Sequence, residues 1–132
     1  MSVVVDASVA AKWVIAEIGS DRANELRTET GLIAPSLIAA EIGSALWKAV
    51  RRGDVARADA MLAIRAVLQP FDTIVANEEL HERALEIAIE LRHPIYDCFY
   101  LALAERERAP LVTADSRLLA GAKRAKVKAK KL

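Results

Sequence analysis

Four acidic residues, Asp6, Glu41, Asp97 and Asp115, are spaced so that they could hold a hard metal ion. Asp6 closes the apolar run Val3-Val4-Val5 and is followed at once by a helical pattern of Val9, Lys12, Trp13 and Ala16. Asp115 repeats that placement one residue beyond Leu111-Val112-Thr113. Both therefore fall at the carboxyl ends of strands, the edge where open α/β sheets bind ligands. Asp97 lies in the first turn of a helix and, at 100° per residue, shares an azimuth with Leu101 and Ala104 to within about 40°. Glu41 lies about 60° from the stripe Ile38, Ile42, Ala45 and Ala49, on its shoulder. A carboxylate on a core-facing azimuth is costly unless something pairs with it, and none of the four has a Lys or Arg at i±4 on its own helix face. Mg²⁺ or Mn²⁺, which prefer carboxylate and water oxygens, is the simplest counter-charge. Without a cation the carboxylates repel, so at least one should have a raised pKa.

Each acid also has a structural role open to it. Asp6 and Asp115 are placed to N-cap the helices that follow them. Asp97 is favoured by the dipole of its own helix, and Glu41 could be a solvated flank residue. The metal reading rests on the combination.

The elements that must position these residues alternate along the chain. A first helix is expected over about 8–17 with Gly19 as its cap, then a polar helix over 21–29 and a strand over 32–34 closed by Pro35. Ser36 is expected to N-cap a long helix ending at Arg52-Gly53, and Asp54 the next, which runs to Leu68. A strand over 71–75, a helix opened by Asn77, a break at Pro94 and a helix from Ile95 to about Arg108 follow. Pro110 to Thr113 is a further strand, Ser116 to Gly121 a short helix, and 127–132 a last strand. Strands alternating with helices predict a three-layer α/β/α sandwich with a mostly parallel sheet.

Composition sets the outer limits. The chain of 132 residues suits a single domain over 1–132 that needs no disulfide or structural metal to fold. A formal charge of +1 excludes a uniformly basic nucleic-acid binder. Cys98 is the lone cysteine, which excludes a disulfide framework and fits a reducing compartment. No stretch nears the roughly 20 apolar residues of a membrane span and no signal-like segment opens the chain, so a cytoplasmic protein is expected.

Val3-Val4-Val5-Asp6-Ala7-Ser8, Ala34-Pro35-Ser36-Leu37 with Glu41, Tyr96-Asp97-Cys98-Phe99-Tyr100-Leu101-Ala102-Leu103-Ala104, and Leu111-Val112-Thr113-Ala114-Asp115 together resemble the PIN domain. Within it, the chain is most similar to the VapC-type ribonuclease toxins of toxin–antitoxin pairs. The resemblance implies Asp6, Glu41, Asp97 and Asp115 as an acidic quartet around Mg²⁺ or Mn²⁺, with Ser8 and Thr113 orienting the acids or a water. It implies RNA hydrolysis to a 5′-phosphate and a 3′-hydroxyl by a water that the cation activates for in-line attack. An antitoxin partner and a homodimer follow from the same likeness. Where the family often has Asn three residues after the helix glutamate, this chain has Ser44. Single-stranded or looped RNA is the expected substrate, because a shallow acidic edge cannot read a closed A-form groove.

Lys12, Arg92, His93 and Arg117 are candidates for a basic rim that meets phosphate, or are ordinary surface cations. From Arg117 to Leu132 there are seven Lys or Arg and no acid; the stretch reads as a lysine-protected edge strand or as an RNA-attracting arm. Trp13 is expected inside. Trp47 faces away from its helix's core stripe, either as part of a partner surface or covered by the following helix. A phosphatase of the haloacid-dehalogenase type would need a second Asp where Ser8 stands. The competing reading from another class is a PIN-like module that binds RNA or protein without cutting.

Overall fold

A computed structural model describes residues 1–15 and 20–132. The elements are β1 (Val3–Val5), α1 (Ala7–Val14), α2 (Ser20–Arg27), β2 (Leu32–Pro35), α3 (Leu37–Arg52), α4 (Arg57–Ala66), β3 (Thr73–Val75), a 3₁₀ turn (Asn77–Glu79), α5 (His81–Leu91), α6 (Ile95–Glu107), β4 (Leu111–Thr113), α7 (Ser116–Arg124) and β5 (Ala129–Lys131). The first helix, expected to reach Glu17, ends at Val14, where Ile15 turns extended while its N–H still donates to Ala11 O; the expected Gly19 cap falls outside the described residues.

The sheet is parallel throughout, in the order β3-β2-β1-β4-β5. From β1 the chain steps outward through β2 to β3, then crosses back to place β4 on the other side of β1. Right-handed crossovers then put α1 to α4 on one face and α5 to α7 on the other. The result is the expected three-layer sandwich. The strand order reverses between β1 and β4, where Val5 pairs with Val112 and Asp6 N–H donates to Val112 O at 3.3 Å. The crevice at such a reversal is the natural ligand site of an open α/β sheet, and Asp6 and Asp115 are the residues at its lip.

α6 is the helix most enclosed by the others. Cys98 and the consecutive residues Tyr100 to Ala104 are all buried, as expected for a helix packed against α5, α7 and three strands. Trp13 is inside too: its indole N–H donates to Ala23 O at 2.6 Å and its ring lies 5.5 Å from that of Phe71. That bond secures α2, a polar helix with little apolar surface of its own, to α1.

Two expected caps differ. Ser36 occupies the N-cap position of α3 but makes no capping bond. It accepts instead from Asn77 N–H at 3.1 Å, while Asn77 Oδ1 accepts from Leu37 N–H at 3.0 Å. A residue beyond β3 thus caps α3, an exchange made possible because β2 and β3 end side by side. Asp54 does not cap α4, whose N-cap position is Ala56. Gly53, at φ 83, turns the chain left-handed, and Asp54 N–H reaches back to Ala49 O at 2.9 Å. Asp54 is consumed in closing α3, and its carboxylate pairs with Arg52.

Candidate active site

Asp6, Glu41, Asp97 and Asp115 line one cleft of about 460 Å³, together with Ser8, Lys12 and Arg117. Four separate elements deliver them. Asp6 and Asp115 stand at the ends of β1 and β4 and do cap the next helices, accepting from Val9 N–H at 3.4 Å and Arg117 N–H at 2.8 Å. Capping and lining the cleft are therefore compatible roles. Glu41 comes from the shoulder of α3, above the buried stripe Ile38, Ile42, Leu46 and Ala49. Asp97 comes from the first turn of α6.

The two hydroxyls Ser8 and Thr113 hold the crevice together. Ser8 Oγ donates to Asp6 Oδ1 at 2.6 Å and accepts from Ala114 N–H at 2.9 Å. Thr113 Oγ1 donates to Asp6 Oδ2 at 2.9 Å and accepts from Asp115 N–H at 2.9 Å. Each hydroxyl uses its single proton on Asp6 and a lone pair on a backbone N–H of the β4–α7 junction, across the crevice for Ser8 and within its own segment for Thr113. The β1–α1 and β4–α7 junctions are locked in this way. Burial pushes Asp6 up to about 7 despite these donors, and the negative charge of Glu41 adds to the rise.

Glu41 is raised as well, first by burial and then by the charge of Asp97. Tyr100, 1% exposed, donates its hydroxyl to Glu41 Oε1 at 2.6 Å. Burial and that carboxylate hold the Tyr100 hydroxyl well above its usual range, so it remains a donor. Removing it should be costly in a specific way. Tyr100→Phe is expected to lose about 1–2 kcal/mol of stability, because a half-buried acceptor loses its donor. The Glu41 carboxyl should then titrate higher still in a carbon-13 NMR titration; an unmoved titration would mean the bond is not formed.

Asp97 is held differently. Its Oδ2 accepts from His93 Nε2 at 2.7 Å and from Arg117 Nε at 3.0 Å, and Arg117 Nη2 lies 3.4 Å from Oδ1. His93 is thus not a rim cation: it is 8% exposed and lies beneath the carboxylate. Arg92 is exposed and does not line the cleft. Lys12 and Arg117 do line it. Ser44 is exposed on an adjoining depression with Lys48 and Arg52 that shares only Glu41 and Ala45 with the cleft. The basic C-terminal stretch forms the parallel edge strand β5, and Lys131 Nζ donates to Ser116 Oγ at 2.7 Å, beside the Asp115 cap. Cys98 is inert: burial pushes its thiol up to about 11.

Sequence reasoning placed His93 on the rim, where the structure buries it against Asp97, and it undervalued Tyr100. Both carried a signal. His93 stands four residues before Asp97 across Pro94, and Tyr100 three residues after it, so both reach the same turn of α6.

Among the described residues no three His, Cys, Asp or Glu side chains converge on one ion-sized position. The reason is visible in the bonds above: each carboxylate is drawn toward its own donors. The donor set is nonetheless all oxygen, and burial and mutual repulsion raise two of its members. That donor chemistry fits a hard cation.

Residues 3–124 match the model of the PIN domain family. The chain belongs to the PIN domain family. Among its relatives is ribonuclease VapC1 of Mycobacterium tuberculosis, 39% identical over 90 residues. That match takes in 66% of this chain and 65% of VapC1, so the chain spans just under two thirds of that relative's length. Ribonuclease VapC9 of the same organism is 35% identical over 116 residues, 88% of this chain and 87% of the relative. The crystal structure of PAE2754 from Pyrobaculum aerophilum superposes with a TM-score of 0.73 at 31% identity, covering 98% of this chain and 83% of that one. In this PIN domain, the acids are carried by the crevice between β1 and β4 and by α3 and α6. Among the described residues no helix is long and apolar enough to cross a membrane.

Proposed function

We propose that this PIN-domain protein is a metal-dependent endoribonuclease and the toxin of a toxin–antitoxin pair. The observation that carries this is the delivery of Asp6, Glu41, Asp97 and Asp115 by four elements to one cleft at the strand-order reversal. The relatives named as VapC ribonucleases support the same reading.

Asp6, Glu41, Asp97 and Asp115 would hold Mg²⁺, with Mn²⁺ as a substitute. A cation so held supplies Lewis acidity to an attacking water and to the phosphoryl oxygens. The chain's own part is to bind and orient. Ser8 and Thr113 fix both oxygens of Asp6, and Tyr100 fixes one oxygen of Glu41. Arg117, exposed and already beside Asp97, is placed to take a phosphate of the RNA, with Lys12 on the other lip. The cleft is open, which suits a single strand or loop.

The antitoxin is a protein with an apolar segment. Trp47 (57% exposed), Met61 and Leu62 are exposed on α3 and α4, and Arg51 stacks over the Trp47 ring at 4.7 Å. A surface of this kind supports a docking role. A homodimer is expected as well.

Purified protein should cleave single-stranded RNA with Mg²⁺ or Mn²⁺, lose that activity in EDTA and gain nothing particular from Zn²⁺. It should co-purify with the product of the adjacent reading frame. Cleavage undiminished in EDTA would remove the metal reading. RNA binding without cleavage in either metal would leave a binding module.

A further inference from the structure

Resting on the nuclease reading above, we propose that His93 is a positioning residue which, wedged between the backbone of Gly121 and Asp97, occupies Oδ2 of Asp97 and leaves Oδ1 to the divalent cation.

The ring's place is built by the chain around it. Arg92 ends α5 in the left-handed region at φ 51, and His93 N–H donates to Ala88 O at 3.1 Å. This turn directs the imidazole away from solvent and under the first turn of α6. There Nε2 lies 2.7 Å from Asp97 Oδ2. An ionised carboxylate only accepts, so Nε2 carries the proton and donates. Arg117 Nε reaches the same Oδ2 at 3.0 Å, whereas Oδ1 has the longer 3.4 Å contact to Arg117 Nη2. The two oxygens are therefore not equivalent. Oδ2 is claimed from inside the protein, and Oδ1 faces an exposed arginine that can move away.

Gly121 supplies the second, independent observation. The sequence places a helix end there, yet α7 continues through it to Arg124. Glycine is a poor helix former, so its presence inside a helix calls for a packing reason. A Cβ at this position would lie 2.9 Å from His93 Cε1, 3.1 Å from Nε2 and 3.2 Å from Nδ1. Only a residue without a side chain lets α7 lie against the ring. α7 thus acts as the backstop of the imidazole, and the imidazole as the backstop of Asp97. Groups that orient a metal ligand in this manner act through the ligand, without touching the substrate.

The test measures Mn²⁺ binding to the protein alone, by the EPR signal of free Mn²⁺, beside kcat and KM on single-stranded RNA. His93→Leu should weaken Mn²⁺ binding about 10- to 100-fold. His93→Gln, whose amide nitrogen can take the place of Nε2, should recover most of that loss. Gly121→Ala leaves every atom of the His93–Asp97 pair present but displaces the ring, and should weaken Mn²⁺ binding by about tenfold. Added to His93→Gln it should do almost nothing more, because the ring it would strike is gone. The loss should fall on kcat at matched Mn²⁺ concentration, with KM for RNA little changed. If His93→Leu fails to fold, His93→Gln and Gly121→Ala carry the test. Variants that melt lower yet bind Mn²⁺ like the parent would overturn the positioning role while leaving the nuclease reading intact. A parent that binds no Mn²⁺ would overturn both.

Discussion

Asp6→Asn should lower kcat for RNA cleavage by about three orders of magnitude, since a bound metal supplies several kcal/mol and each 1.4 kcal/mol is tenfold. The same substitution should leave the metal-free fold at least as stable. Asn caps helices about as well as Asp, so α1 keeps its N-terminal bond and Ser8 its acceptor in the amide oxygen, while Thr113 can accept from the amide nitrogen in place of donating. What disappears is a buried charge. Asp6 is 5% exposed and is raised to about 7. Against an unfolded value near 3.9, ionising it at pH 8 opposes folding by an amount of the order of 4 kcal/mol. Part of that is returned in Asp6→Asn, so its melting temperature should exceed the parent's at pH 8 and match it near pH 4. Cleavage assays and melting curves on the same preparations separate the two roles. If Asp6 acted only as a cap, activity would survive in Asp6→Asn; loss of activity together with loss of fold would point to a purely architectural residue.

In EDTA, the parent's melting temperature should fall as pH rises from about 4 to about 7, then level off. The sign follows from proton counting. Burial raises Asp6 to about 7, and burial together with Asp97 raises Glu41. Between the unfolded values near 4 and these folded ones, the native state holds more protons than the unfolded chain, so stability declines with pH. The contribution is whole below the unfolded pKa and gone above the folded one. Mn²⁺ should reverse the trend, because a ligand that binds only the native state stabilises it, by about 2.7 kcal/mol at one hundred times its dissociation constant. Cation binding requires ionised carboxylates, so the Mn²⁺-induced shift should grow across the same pH window and be largest at pH 8. Differential scanning calorimetry at pH 5, 6, 7 and 8, with EDTA or Mn²⁺, tests this directly. A profile that is flat in EDTA, or a Mn²⁺ shift independent of pH, would contradict it.

Burial places an electrostatic cost on Asp6 and Glu41, an assignment that sequence could not make. Asp97 has Arg117 and His93, and Asp115 has the Arg117 N–H. Asp6 has only neutral donors, and so does Glu41 through Tyr100. Repulsion within the group was foreseeable from four carboxylates without an i±4 cation. Its distribution depended on which partners came from elsewhere: Arg117 lies twenty residues from Asp97.

The sequence alone determined the parallel α/β plan, because β-branched runs ending in an acid and followed by helical periodicity are local patterns. It likewise determined the placement of Asp6 and Asp115 at strand ends, of Asp97 in a first helical turn and of Trp13 inside. Tertiary structure alone decided the rest. Strand order put β1 beside β4 and so made the two strand-end acids neighbours. Pairing of β2 with β3 gave the cap of α3 to Asn77 and left Ser36 without that role. Burial of His93 beneath Asp97, with Gly121 behind its ring, came from the packing of α7 against the α5–α6 turn. The physical reason is one of range: periodicity and capping act within a few residues, whereas a buried polar group takes whatever partner the fold brings within about 3 Å.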